Sequence, residues 1–143
     1  MTPPLQIRTA DAFEAFDAGG PAAPADPGST KLSSEHLADE LRTGLTADQL
    51  AARAGALAVA NDLAPAAFHL APGLLPFRRA LSRMLGRPVG LSGSGPTLWA
   101  LYPSLEAAQE AASAVNGALQ RRDVAAPGTG RPFVVATTLG GAQ

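Results

Sequence analysis

Cysteine is absent from the 143 residues, lysine occurs only as Lys31, and tryptophan and tyrosine occur once each, as Trp99 and Tyr102. Without cysteine there is neither a disulfide framework nor a thiolate metal site. Charge is also sparse, 16% of residues with 11 basic and 12 acidic side chains. A net charge of −1 gives no electrostatic pull toward nucleic acid or a membrane surface. No apolar run approaches the ~20 residues that a bilayer-spanning helix needs. The N-terminus, with Pro3 and Pro4 and no basic segment ahead of an apolar one, does not read as a secretory signal. These absences leave a cytoplasmic single domain as the expectation, at a length sufficient to bury a core without covalent staples.

What the chain does have is alanine-rich helical patterning interrupted by glycine and proline. Leu5–Thr9 reads as a short strand and Ala10–Phe16 as one or two helical turns. Residues 19–31 hold a Gly/Pro/Ala-rich stretch without periodicity, expected to be a mobile loop. Ser33 or Ser34 is expected to cap a helix running to Arg42. Thr46-Ala47-Asp48-Gln49 has capping-box spacing, with Leu45 and Leu50 at the staple positions, and starts a helix striped by Leu50, Ala54 and Leu57. Asn61-Asp62 breaks that helix and can cap a short one over 63–70. Leu74, Phe77, Leu81 and Leu85 recur at helical spacing up to Gly86. Ser104 caps a last helix whose buried stripe is expected at Leu105, Ala108, Ala112, Val115 and Leu119. Phe133–Leu139 is β-branched-rich and reads as a final strand. The expected fold is α+β, an antiparallel sheet of about four strands with helices packed on it.

Residues 89–102 carry the chemical interest. Val89 and Leu91 lead into Ser92-Gly93-Ser94-Gly95, the chain turns at Pro96, and Leu98–Tyr102 leads out. Small side chains there let the backbone reach positive φ and approach another surface, so exposed N–H groups and the hydroxyls of Ser92, Ser94 and Thr97 suit an anion. The spacing is neither a P-loop, which needs Lys after the last glycine, nor a dinucleotide fingerprint, which needs glycine where Leu98 stands. A ligand-free glycine hairpin has the same composition.

Leu91-Ser92-Gly93-Ser94-Gly95-Pro96-Thr97 resembles the third motif of the GHMP kinases, a family of small-molecule kinases. Ala60-Asn61-Asp62-Leu63-Ala64-Pro65-Ala66-Ala67 resembles the Asn-Asp-Leu segment of the 4-diphosphocytidyl-2-C-methyl-D-erythritol kinases within that family. The stretch Pro3–Phe13 is similar to the strand and Ser-Thr-Ala junction that open their C-terminal half. Homoserine and mevalonate kinases share the glycine loop but not the Asn-Asp-Leu segment as it stands here. Two departures are plain: Ala64 stands for the usual acidic residue, and Arg8 for a common Ser.

The resemblance implies the C-terminal part of an ATP-dependent kinase that phosphorylates the 2-hydroxyl of 4-diphosphocytidyl-2-C-methyl-D-erythritol in non-mevalonate isoprenoid biosynthesis. It implies ATP and Mg²⁺ as cofactors of the complete enzyme, and an N-terminal nucleotide-binding half as partner. That half would carry the Pro-x-x-x-Gly-Leu-Gly-Ser-Ser loop and the catalytic Asp and Lys, none of which this sequence shows. The isolated chain is therefore expected to be inactive, with no catalytic residue of its own. Ser92, Gly93, Ser94, Gly95 and Thr97 would lie near phosphate or substrate, Thr9 would line the cleft, and Asn61 and Asp62 would support the loop. The alternatives are the C-terminal half of another GHMP kinase, such as a homoserine kinase, or a non-catalytic binding or assembly module.

Other candidates point to less. His36 and His69 lie in different predicted helices with no third ligand at metal spacing. A serine nucleophile would need a base and an orienter, and no G-x-S-x-G elbow exists. Trp99 and Tyr102 read as core or sheet-edge aromatics. Leu98–Tyr102 is apolar on both faces, where a half-buried strand would alternate. A second covering layer, or a sticky surface that drives self-association, is therefore expected.

Overall fold

The computed structural model describes residues 1–18 and 27–139, with the backbone alone for 27–34. Among the described residues nine elements follow in order: α1 (Thr9–Asp17), α2 (Pro27–Thr43), α3 (Ala47–Ala52), α4 (Ala54–Val59), α5 (Ala64–Leu70), α6 (Leu74–Leu85), β1 (Gly90–Leu91), β2 (Leu98–Trp99) and α7 (Leu105–Arg121).

The core is organised around α6, where Leu74, Phe77 and Leu81 stack on one stripe and are 0–2% exposed. Burying each such side chain contributes roughly 1.5–3 kcal/mol. They pack with Ala64 and Ala67 of α5, Val89, Leu91 and Leu98 of the hairpin, and Val115 and Ala118 of α7. Pro76 sits in the first turn of α6, where its missing N–H costs no intrahelical bond, and Gly86 ends the helix in the left-handed region, φ 60°. Thr46 forms the full capping box with Gln49 at the start of α3, and Ser104 accepts the Ala107 N–H at the start of α7.

The helical periodicity of α6 is met, and the strands are fewer than expected. Among the described residues only β1 and β2 pair, antiparallel, with Gly90 opposite Trp99 and Leu91 opposite Leu98. The expected strand at Leu5–Thr9 does not form: Thr9 already opens α1, and Leu5 N–H bonds back to the Pro3 carbonyl at 2.9 Å. Pro3 and Pro4 just ahead of it, each without an N–H, cannot donate to a ladder leading into this stretch. The expected strand at Phe133–Leu139 is reduced to one bridge, Phe133 with Thr2. Lateral pairing nonetheless runs through four rows, because Met1 also exchanges backbone bonds with Leu98. The row order is therefore 90–91, 98–99, 1–2 and 133.

Three further expectations are corrected. Of residues 19–31, 19–26 lie outside the described residues, but 27–31 belong to α2, so Ser33 and Ser34 lie within that helix rather than ahead of its first residue. The helix expected over 46–60 is divided at Arg53, whose ψ of −5° separates α3 from α4. Arg53 there makes a two-pronged ion pair with Glu40 of α2, at 2.9 and 2.6 Å, and the bonds hold the Glu40 carboxyl below its ordinary range. Leu105 is exposed, so the buried stripe of α7 begins deeper in the helix and centres on Val115 and Ala118.

Candidate functional site

The β1–β2 hairpin projects the glycine loop. Ser92 N–H donates to the Thr97 carbonyl at 2.8 Å, extending the ladder one step beyond Leu91–Leu98. Gly95 N–H then donates to the Ser92 carbonyl at 2.9 Å and closes a four-residue turn. Gly93, first of its central residues, has φ 52°, the sign that a type II′ hairpin turn requires. Gly95 follows at φ 80°, joined to Pro96 by a cis peptide bond. A Cβ on Gly95 would lie 3.1 Å from a Leu91 methyl and 3.4 Å from Ile7. Glycine is thus required there twice, by conformation and by space.

The loop is tied to the body at three points. Asn61, just ahead of α5, donates from Nδ2 to the carbonyls of Leu91 (2.9 Å) and Gly93 (2.8 Å), while its Oδ1 accepts the Leu63 N–H at 3.0 Å. One side chain therefore shapes the turn that leads into α5 and holds the entry limb of the loop. Ser94 Oγ meets Thr9 Oγ1 at 3.1 Å, joining the loop tip to the first residue of α1. Thr97 Oγ1 meets Thr2 Oγ1 at 3.0 Å on the exit limb.

The geometry sorts the sequence candidates. Thr9, Asn61, Ser94 and Thr97 are brought together around Gly93 and Gly95. The three hydroxyls do not converge: those of Ser94 and Thr97 turn to Thr9 and Thr2, and Ser92 is exposed. Asp62 makes no hydrogen bond among the described residues, so loop support falls to Asn61 alone. His36 and His69 are both exposed, and no group of three His, Cys, Asp or Glu side chains suited to a metal ion exists among the described residues.

Sequence reasoning missed three contributors. Thr2 and Ile7 flank the loop from an irregular N-terminal segment that has no periodicity to read. Arg78 donates from Nε to the Val89 carbonyl at 2.6 Å and lies over the Phe68 ring, 5.6 Å from its centroid, clamping the base of β1. Burial pushes its guanidinium below the usual range. In sequence, Arg78 beside Arg79 carries no signal that separates an inward arginine from a charge on an exposed helix face.

What remains free is chemically specific. Among the described residues the N–H groups of Gly93 and Ser94 have no partner, two successive donors in a turn, the arrangement that makes an anion-binding concavity. The start of α1 lies beside them through Thr9, and its N-cap residue, Arg8, makes no side-chain cap bond. Unsatisfied N–H groups and the helix dipole add positive potential at that end. Arg8 itself is exposed, 3.6 Å from Asp11. The loop holds no group that titrates near neutrality, so it can bind and orient an anion but cannot transfer protons.

The sequence model of the family described as GHMP kinases C terminal matches residues 38–121. This chain belongs to that family. The match runs from within α2 through Asn61 and the glycine loop to the end of α7. Thr9 and the N-terminal segment precede the matched region. No curated protein and no solved structure matches the chain. Membership makes the chain part of a GHMP kinase, a phosphotransferase setting, and a C-terminal domain of this kind implies an N-terminal partner half in the full kinase. Among the described residues no helix is long and apolar enough to cross a membrane.

Proposed function

We propose that this chain is the C-terminal half of an ATP-dependent kinase that phosphorylates the 2-hydroxyl of 4-diphosphocytidyl-2-C-methyl-D-erythritol. The observation that carries the reading is Asn61. Among the described residues it is the side chain that joins the Asn-Asp-Leu segment, which homoserine and mevalonate kinases do not share as it stands here, to the glycine loop that they do share. In phosphoryl transfer the protein mainly positions the reactants and stabilises charge on the moving group. The free N–H groups of Gly93 and Ser94 beside the α1 terminus suit that task, with Gly95 keeping the turn shape and Thr9 and Thr97 fixing its two limbs. ATP, Mg²⁺ and the acid–base residue belong to the nucleotide-binding half. The residues gathered at this loop include no carboxylate or lysine that could serve in their place.

The test is reconstitution. The chain is combined with the nucleotide-binding half of a kinase for this substrate, and ATP- and Mg²⁺-dependent product is measured with the cytidyl substrate and, separately, with homoserine. Product only when both halves are present, and only from the cytidyl substrate, is the expected result. Turnover of homoserine instead would move the chain to another branch of the family. Absence of product with either substrate, while the two halves bind each other, would favour a non-catalytic assembly module.

A further inference from the structure

The row of paired backbone that contains Met1 and Thr2 stops while its neighbours continue. Met1 and Leu98 exchange hydrogen bonds at 2.7 and 2.8 Å, and Thr2 and Phe133 exchange theirs at 2.8 and 2.9 Å. Each is a hydrogen-bonded pair of an antiparallel ladder, in which N–H and C=O groups alternate sides residue by residue. The backbone groups of Ala100 and Tyr102 therefore face the same edge as those of Leu98. Those of Val135, Thr137 and Leu139 likewise face the edge that Phe133 presents. Among the described residues none of these groups has a backbone partner. The carbonyl of Leu101, which must point the other way, accepts from a side chain on that side, the guanidinium of Arg87 at 3.4 Å.

Since 98–99 and 133 each stand one strand spacing from the 1–2 row, the gap between their continuations is one strand wide, ~10 Å between the flanking backbones. It is a cavity of about 320 Å³, walled by Ala100, Tyr102, Val134 and Ala136 and floored by Ala111 and Ala112 of α7. None of the side chains lining it is charged. Val134 and Ala136 are half-buried while Phe133, Val135 and Thr137 are exposed, the alternation of a strand with one face on a core.

We propose that this gap is a strand-docking slot, filled in the working protein by an extended segment of the nucleotide-binding half that lies in line with Met1–Thr2 and antiparallel to Ala100–Tyr102. The proposal rests on the reading of the chain as one half of a kinase. The occupant carries apolar side chains at the two positions that face the alanine floor, where small floor residues leave room for them. At the positions between, it tolerates polar groups. A second copy of this chain is poorly suited, because its exposed extended stretch, 133–139, is already a wall of the slot.

The experiment fuses five residues ahead of Met1 in three versions. Thr-Ile-Thr-Ile-Thr places isoleucine toward the floor; Ile-Lys-Ile-Lys-Ile places lysine there; Gly-Ser-Gly-Ser-Gly forms no strand. Amide exchange at Ala100, Tyr102, Val135 and Thr137 is read by NMR, together with Tm. The first version should slow these amides by about tenfold or more and raise Tm by ~5 °C, and the other two should not. Ala111→Phe, which fills the floor, should erase the gain. Equal exchange in all three versions overturns the slot, as does equal protection by the lysine version. Concentration-dependent protection in the unextended chain would overturn the assigned occupant and give the slot to a second copy. With the nucleotide-binding half supplied in trans, the same amides should slow. Restored kinase activity with unchanged exchange there would refute the slot while leaving the kinase reading intact.

Discussion

Asn61 offers the sharpest test of how the loop is held, because its two ends do different work. Nδ2 gives two bonds to the loop carbonyls of Leu91 and Gly93, and Oδ1 takes one from Leu63 N–H. Hydrogen bonds of this kind contribute roughly 1 kcal/mol each, more where deletion strands a buried partner. The Gly93 end is exposed and can turn to water, so Asn61→Ala should cost ~2 kcal/mol rather than the full sum. Asn61→Asp separates the roles. It keeps the acceptor that shapes the turn into α5 but sets a carboxylate against two carbonyl oxygens, so the entry limb is released while that turn survives. Urea unfolding should show Asn61→Asp destabilised by at least as much as Asn61→Ala. Hydrogen exchange should show faster amides at Ser92 and Gly95 with little change at Ala67, whose N–H bonds within the α5 start. Asp62→Ala, at a side chain without a hydrogen-bond partner among the described residues, should lie within ~0.5 kcal/mol of the parent. If Asn61→Asp matched the parent in stability and loop exchange, the account of the loop as held by this amide would be wrong.

Two other outcomes follow from the same geometry. Gly95→Val forces a β-branched residue to φ 80° and onto Leu91 and Ile7, and should lower stability by ~3 kcal/mol, whereas Gly93→Ala, in open space at φ 52°, should cost only ~1 kcal/mol in the same denaturation series. Tyr102, the sole tyrosine, lies under Arg87 with the guanidinium 4.7 Å from its ring centroid, and its hydroxyl is buried without a partner among the described residues. Burial raises its pKa above the ordinary 10.0, against a smaller opposing pull from Arg87. The folded state thus prefers the neutral phenol, and its contribution to stability is complete below pH 10.0 and lost as pH rises through the higher folded value. Tyrosinate absorbance of the native chain should appear at higher pH than in urea, and coincident titrations would contradict the buried placement.

How far the fold could be read depended on whether a segment's partners were local. Helices α6 and α7 were legible because their apolar residues repeat at 3.6-residue spacing and their ends carry their own signals, Gly86 and Ser104. The capping box at Thr46 is likewise complete within four residues. Strand content was not legible. Phe133–Leu139 has the β-branched composition of a strand, but a strand exists only when a neighbour supplies the other half of each bond, and past Phe133 no row among the described residues supplies it. The apolar character of both faces of 98–102 was the one sequence signal of this, since it implied a covering element without saying where it lies.

The site shows the same division. Glycine at 93 and 95 announces a turn with positive φ, and that reading needs only local sterics. The residues that make the turn into a fixed site come from elsewhere: Thr2 and Thr9 from the N-terminal segment, Asn61 from the approach to α5, Arg78 from the middle of α6. Of these, Asn61 was found only because its motif resembles a family segment. By composition alone it is a helix cap, but the N-cap of α5 is Leu63, and Asn61 Oδ1 instead closes a turn onto the Leu63 N–H just ahead of the helix. That double duty explains why the local and the functional readings of one side chain could not be separated in sequence. An amide has a donor end and an acceptor end, and here the fold uses the acceptor for the turn into the helix and the donor for the loop.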